Sequence, residues 1–200
     1  METQSLLCLG DSYTIGESVP LHDSFPYKLL QLLRDNKYPF YAPEIVAKTG
    51  WTSFELLKHL EQIKLNEHYN YVTLLVGVNN QYRELSTIDF KKDFELLINK
   101  SIGFAGGKTK NVLVISIPDW GVTPFANDRN EQQITNEINS FNGVCELMAQ
   151  KYQTKYINIT DETRLVKNDT SLLTADQLHY SGKEHLIWAT KIYDTIKIAL

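Results

Sequence analysis

The chain has 200 residues, of which 42% are hydrophobic and 22% are charged, and its formal net charge at pH 7 is -4. This length predicts one domain over residues 1–200, because a single core usually serves about 100 to 200 residues. The composition excludes a disordered, collagen-like or coiled-coil protein. The chain also lacks the basic surplus that neutralises a phosphate backbone, so nucleic acid is not an expected partner.

The first residues, METQSLLCLGDS, include an apolar run of about five residues, which is too short for a signal sequence or a membrane span. We therefore expect a cytoplasmic chain without a membrane span, although a secreted protein after signal removal would read in the same way. Cys8 and Cys145 each lie within an apolar pattern. That pattern predicts buried thiols.

Short apolar runs alternate with helical periodicity along the whole chain. The runs predict five strands, at residues 5–9, 44–48, 71–76, 112–117 and 155–159. Their continuous apolar character is typical of strands that are covered on both faces. Strands that alternate with helices predict a three-layer α/β/α fold, doubly wound around a mainly parallel five-stranded sheet.

Three segments carry clear helix signals. Apolar residues recur every three or four positions between Glu131 and Gln150, which predicts a helix with one buried face. The pairs Thr52 with Glu55 and Ser181 with Glu184 fit the capping box, in which a hydroxyl and a carboxylate bind free amides of the first turn. These pairs predict helices that begin near residues 53 and 182.

Candidate catalytic residues follow the predicted strands, where ligands bind in a doubly wound sheet. Ser12 comes directly after the first strand, in GDSYTIGES, and a serine becomes a good nucleophile only beside a base. Asp176 and His179 lie three residues apart in DQLH, so the carboxylate can orient the imidazole. Taken separately, Ser12 also fits a turn or a helix cap, and the pair fits a capped loop.

Two segments offer hydrogen-bond donors for a negatively charged oxygen. Gly50 precedes the predicted helix start at residue 53, where free amides favour negative charge. Asn79 and Asn80 follow the third strand in GVNN. Beside a serine, such donors form an oxyanion hole, although simple turns are an equally valid interpretation of each segment.

The blocks GDSYTIGES, KTGWTS, GVNN and DQLHYSG together resemble the SGNH subgroup of the GDSL hydrolases, the GDSL-like lipases and acylhydrolases, from residue 10 to about 182. The resemblance implies a flavodoxin-like SGNH hydrolase fold without a metal or cofactor. It also implies a nucleophile (Ser12), a base (His179), an orienting acid (Asp176), and an oxyanion hole formed by the Ser12 and Gly50 amides and the Asn79 side chain. The third block of the family is usually GxND, and in this chain Asn80 replaces the aspartate. This departure bears on substrate placement.

Aromatic residues near the same sheet edge are candidates for substrate binding. They could pack an acyl chain or stack on a sugar ring, and they are Tyr13, Trp51, Tyr82, Trp120 and Phe125, together with the polar Asn80. Arg83 and Arg129 could meet an anionic leaving group or could be solvated loop charges. We expect a lipase-like or lysophospholipase-like esterase of a small-molecule ester, with a carbohydrate O-acetylesterase and a non-catalytic binding module as the alternatives.

Overall fold

The computed structural model describes residues 2–197 and contains a five-stranded parallel sheet. The strands are β1 (Leu6–Gly10), β2 (Glu44–Ala47), β3 (Tyr71–Leu75), β4 (Val112–Ile115) and β5 (Lys155–Ile157). Their spatial order is β2-β1-β3-β4-β5, and every neighbouring pair is parallel. The predicted parallel sheet is confirmed, and its strand order reverses between β1 and β3.

Helices cover both faces of this sheet. The long helices are α2 (Phe25–Asp35), α3 (Ser53–Leu60), α5 (Thr87–Phe104), α6 (Glu131–Lys151) and α8 (Gly182–Lys197), and the short ones are α1 (Ser12–Ile15), α4 (Val78–Tyr82) and α7 (Thr160–Thr163). Helix α2 packs against α8, whereas α5 packs against α3 and α6. The central strands β1, β3 and β4 are buried along their full length because helices cover both of their sides. The three-layer fold is therefore confirmed.

Strands β4 and β5 end two residues earlier than the apolar pattern predicts. The backbone of Ile117 leaves the sheet ladder and pairs with the side chain of Asn142 through both its N–H, at 2.7 Å, and its carbonyl, at 3.1 Å. Ser116 Oγ accepts hydrogen bonds from the amides of Ile159 and Thr160 at 2.8 and 3.1 Å. Polar side chains thus replace the ladder for apolar residues that the sequence pattern assigned to the strands.

The two predicted capping boxes have different outcomes. At α3, Thr52 Oγ1 accepts from the Glu55 amide and the Glu55 carboxylate accepts from the Thr52 amide, so this box is confirmed. Helix α8 does begin at residue 182, but its predicted box is wrong. Ser181 Oγ donates to a carbonyl of the preceding loop, and Glu184 is buried and accepts from Trp188 Nε1 at 2.7 Å.

Both cysteines are free and fully buried, as the apolar patterns predicted. Burial raises the pKa of the Cys8 thiol to about 12, because the thiolate would lose its hydration. Between residues 2 and 197, no helix is both long enough and apolar enough to cross a membrane.

Candidate active site

The strand order places two of the predicted motifs side by side. Strands β1 and β3 are neighbours and run in the same direction, so the segments that follow them emerge at one edge of the sheet. The chain leaves this edge in opposite directions on either side of the switch point, which opens a crevice between the two connections. Ser12 follows β1, and Asn79 follows β3, at this crevice.

A tight turn from β1 into α1 presents Ser12. Gly10 has no room for a side chain, since a Cβ atom there would lie 2.4 Å from the Leu75 carbonyl oxygen. Asp11 caps α1, and its carboxylate accepts from the Tyr13 amide at 3.0 Å. Burial raises the pKa of Asp11 to about 7, against the lowering effect of hydrogen bonds from backbone amides. The turn leaves the Ser12 amide without a hydrogen-bond partner among residues 2–197.

The loop that precedes α8 carries the predicted acid and base. An isolated antiparallel bridge joins Leu173 to Tyr180, and the Thr174 amide donates to the His179 carbonyl at 2.9 Å, so the loop folds back on itself. Inside this loop, Asp176 Oδ1 accepts from the amides of Leu178 and His179, both at 2.9 Å. The carboxylate is thereby fixed beside the imidazole ring.

Ser12, His179 and Asp176 form a continuous hydrogen-bond chain. His179 Nδ1 lies 2.8 Å from Asp176 Oδ2, and His179 Nε2 lies 3.1 Å from Ser12 Oγ. Burial acts to raise the pKa of Asp176, but hydrogen bonds from Ser18 and from the amides of His179 and Leu178 outweigh it and hold the pKa well below its usual range. The carboxylate is therefore ionised at neutral pH. A neutral imidazole in this position can accept the hydroxyl proton of Ser12.

A buried tyrosine packs against the imidazole ring of His179, whereas His185, a buried histidine, has a structural role. Tyr13 packs edge-on against the His179 ring, with 5.6 Å between ring centroids. His185 lies further inside, where its Nδ1 accepts from the Phe25 amide at 3.2 Å. Burial lowers the pKa of His185 to about 3, so this second histidine stays neutral and is committed to the packing of α8 on α2.

The predicted oxyanion donors, Gly50 and Asn79, border the crevice beside Ser12. Gly50 has a left-handed backbone with φ of +84°, and Arg83 Nη2 donates to its carbonyl at 2.5 Å. Within the described part of the chain, the Gly50 amide has no hydrogen-bond partner. Asn79 Nδ2 donates one hydrogen to the Trp51 carbonyl at 3.0 Å, which orients the amide and leaves its second hydrogen available.

Two of the residues predicted to bind substrate, Asn80 and Trp51, do not line the cavity beside Ser12. Asn80 is 2% exposed, and its amide group pairs with both the backbone N–H and the hydroxyl of Ser53. It therefore ties α4 to the first turn of α3 and does not line the cavity. Trp51 packs its ring against His59, with centroids 4.7 Å apart, and contributes only its carbonyl to the site.

A cavity of about 220 Å³ opens beside Ser12. Its polar side is formed by Ser12 and His179 together with Gly50 and Asn79. Its other side is largely apolar, formed by Val78, Tyr82, Trp120, Phe125 and Leu178. Sequence reasoning had singled out Tyr82, Trp120 and Phe125, together with Tyr13, which also lines the cavity. It missed Thr49, Val78 and Leu178, which are adjacent in sequence to predicted site residues and could have been included on that ground alone.

Neither arginine faces the cavity as a free charge. Arg83 binds the Gly50 carbonyl and forms a salt bridge with Glu55. Arg129 stacks its guanidinium on Tyr82, 4.9 Å from the ring centroid, and on Trp120, 5.3 Å away. Both arginines therefore contact residues that line the cavity: Arg83 binds Gly50, and Arg129 packs on Tyr82 and Trp120.

Comparisons with known proteins identify the family and the fold of the chain. The sequence profile described as the GDSL-like Lipase/Acylhydrolase family matches residues 8–185. No curated protein matches the chain. Among solved structures, a lipase/acylhydrolase from Enterococcus faecalis is 20% identical with a TM-score of 0.78, and the match covers 99% of this chain and 97% of that one.

Two further solved structures share the fold. A protein named TesA is 19% identical with a TM-score of 0.77, over 98% of this chain and 100% of the other. The acetylxylan esterase Axe2 from Geobacillus stearothermophilus is 16% identical with a TM-score of 0.76, over 96% and 94% of the two chains. The family profile spans most of the sequence and includes the four blocks GDSYTIGES, KTGWTS, GVNN and DQLHYSG. The chain therefore belongs to the GDSL-like lipase/acylhydrolase family of ester hydrolases.

Proposed function

We propose that this protein is a serine esterase in which Ser12 is the nucleophile, His179 the general base and acid, and Asp176 the residue that orients the imidazole. One observation carries the proposal: the hydrogen-bond chain runs unbroken from Asp176 Oδ2 through the ring of His179 to Ser12 Oγ, at 2.8 and 3.1 Å. Separate structural roles for these three residues would not require the ring to contact both partners at once.

The first half of the reaction transfers the acyl group to the enzyme. His179 Nε2 takes the Ser12 proton as Oγ attacks the ester carbonyl carbon, and the carbonyl electron pair moves onto the oxygen. When the tetrahedral intermediate collapses, its bond to the leaving oxygen breaks, and the imidazolium protonates the departing alcohol. An acyl ester on Ser12 remains. Asp176 keeps the second ring proton on Nδ1, so Nε2 is the nitrogen that exchanges protons.

The second half repeats these steps with water. His179 takes a proton from the water, whose oxygen attacks the acyl carbon, and the intermediate releases a carboxylic acid as Ser12 Oγ regains its proton. In both halves, the Ser12 amide, the Gly50 amide and Asn79 Nδ2 donate to the oxyanion. Loss of one donor of this kind typically costs a hundredfold or more in rate.

The cavity argues for a short or medium acyl chain. Its far wall is apolar, which suits a hydrocarbon, and its volume is about 220 Å³. At roughly 30 Å³ for each water-sized group, that space holds about seven non-hydrogen atoms. We therefore expect kcat/KM to rise with acyl length up to about the hexanoyl ester, whose acyl group has about seven non-hydrogen atoms, and to fall for longer chains.

A carbohydrate O-acetylesterase is the second candidate. It is supported by the rings at the rim of the cavity, since Tyr82 is 41% exposed and Phe125 is 45% exposed, and open aromatic faces can stack on a sugar. The similar structure of Axe2 is that of an acetylxylan esterase. A p-nitrophenyl ester series separates the candidates: preference for octanoyl opposes deacetylation, and strict preference for acetyl opposes a lipase-like role.

The central test is the Ser12→Ala variant with a fluorophosphonate probe, which labels activated serines. We expect covalent labelling and ester hydrolysis in the parent protein, and neither in the variant, while circular dichroism shows an unchanged fold. Ser140→Ala is a matched control, because this exposed hydroxyl only donates to a carbonyl of α6. Full activity in Ser12→Ala would exclude the proposed nucleophile. A parent protein that neither reacts nor hydrolyses esters would favour the non-catalytic binding module.

A further inference from the structure

Ser18, an exposed residue near the start of the chain, contacts Asp176, the acid of the proposed triad. Ser18 follows the first helical turn, and its Oγ donates to Asp176 Oδ2 at 2.7 Å across 158 positions of sequence. Asp176 Oδ2 is also the oxygen that accepts from His179 Nδ1. The hydroxyl of Ser18 and the imidazole thus share one acceptor atom.

The two oxygens of Asp176 have different surroundings. Oδ1 accepts from Thr174 Oγ1 at 2.7 Å and from the amides of Leu178 and His179, all within its own loop. Oδ2 accepts from the imidazole and, among residues 2–197, from one further donor, Ser18. The loop therefore anchors the carboxylate through Oδ1, whereas Ser18 acts on the oxygen that faces the base.

The backbone at Ser18 is held in a conformation that side chains rarely adopt. Its φ is +65°, in the left-handed region, where glycine is the least strained residue. The turn is closed locally, because the Glu17 amide donates to the Ser12 carbonyl and the Val19 amide to the Gly16 carbonyl. A glycine would satisfy this turn at a lower conformational cost, so the serine side chain has a use that the turn itself does not explain.

We propose that Ser18 is a positioning residue of the esterase, which holds Asp176 Oδ2 in line with the imidazole and withdraws negative charge from that oxygen. The inference rests on the proposed function. A hydrogen bond donated to Oδ2 weakens this oxygen as an acceptor for the protonated ring. The imidazolium is then less firmly stabilised, and it returns its proton to the leaving alcohol more readily. Without the hydroxyl, the ring would hold its proton too tightly.

The replacement of Ser18 removes no contact of the other ionisable groups around Asp176 and His179, because its hydroxyl donates to Asp176. From α1, the buried Tyr13 phenol has a pKa raised well above its usual value by burial, and Asp11 lies beside it. From α8, His185 is neutral because burial lowers its pKa. Asp119, on the loop after β4, is paired with Arg164.

The test compares the pH dependence of Ser18→Gly and Ser18→Ala with that of the parent enzyme. Both variants lose the hydroxyl, but glycine relieves the strain of the left-handed backbone and alanine retains it. An effect that both variants share is therefore caused by loss of the hydroxyl. We expect kcat to fall roughly three- to tenfold with KM unchanged, the range typical for the loss of one ordinary hydrogen bond. The midpoint of the acidic limb of kcat/KM should rise by about half a pH unit.

A matched control is Lys37→Gly, which relieves another left-handed residue, with φ of +69°, in the turn after α2. This variant should match the parent in kcat and in pH profile. Ser18 variants with parental kcat and an unmoved acidic limb would overturn the inference, as would a loss of kcat without a shift of the limb. If the parent enzyme hydrolyses esters and Ser12→Ala does not, those outcomes refute the role of Ser18 alone and leave the proposed function intact.

Discussion

Glu184 links the stability of the fold to pH. It lies in the first turn of α8, is 0% exposed, and accepts from Trp188 Nε1 through Oε1. Its second oxygen, Oε2, is buried without a hydrogen-bond partner among residues 2–197. Burial raises the pKa of Glu184 to about 7 from an ordinary value of 4.5, the Trp188 hydrogen bond lowers it, and the nearby Glu162 carboxylate adds to the increase.

The sign of the effect follows from proton binding. Between pH 4.5 and about 7, the folded protein holds the Glu184 proton and the unfolded chain does not. The free energy of unfolding therefore falls as pH rises through this window and levels off above it. A difference of about 2.5 pKa units corresponds to a total of about 3 kcal/mol. Asp11, with a pKa also raised to about 7 by burial, adds a contribution of the same sign.

The Glu184→Gln variant isolates this contribution, because the amide keeps the shape and remains neutral. Its carbonyl can still accept from Trp188, and its N–H₂ group replaces the unpartnered oxygen. We expect the variant to match the parent within about 1 kcal/mol at pH 5 and to be more stable by roughly 2 to 3 kcal/mol at pH 8. With a typical urea m-value of 1–3 kcal/mol/M, the unfolding midpoint at pH 8 should rise by about 1 M.

The assay is urea unfolding followed by circular dichroism at half-unit steps from pH 5 to pH 8. Glu67→Gln, at an exposed position, serves as the control and should follow the parent at every pH. If the difference between Glu184→Gln and the parent is the same at pH 5 and pH 8, Glu184 is ionised throughout. The reasoning from burial would then be refuted.

Three further substitutions test the site and the turn beneath it. Asp176→Asn should lower kcat by roughly a hundredfold or more and move the acidic limb of kcat/KM to lower pH, because the amide no longer stabilises the protonated ring of His179. His185→Gln should leave the acidic limb in place, since burial lowers the pKa of His185 to about 3. Loss of the limb in this variant would show that the assignment of His179 as the base is wrong. Gly10→Ala should destabilise the protein by about 3 kcal/mol or more in urea unfolding, because its Cβ would lie 2.4 Å from the Leu75 carbonyl oxygen.

The helix signals illustrate the limit of local sequence patterns. Thr52 and Glu55 form their capping box, because each side chain accepts a hydrogen bond from an amide of the same helical turn. Ser181 and Glu184 have the same spacing, yet Glu184 turns inward to Trp188. The burial of Trp188 and Glu184 where α8 packs on α2 decides this second case, and the spacing of a capping box does not show which residues that packing buries.

The sequence alone was sufficient to predict the five-stranded parallel sheet and the segments that carry Ser12, Gly50, Asn79 and the Asp176–His179 loop. It could do so because strand alternation is local, and because parallel strands all point their carboxyl ends toward one edge. Side-chain destinations depend on contacts between distant segments. Only the tertiary structure decided that Asn80 binds α3, that Trp51 turns away from the cavity, and that Ser18 reaches Asp176. The contacts of Asn80 and Ser18 join segments that meet only after the sheet and its helices have packed.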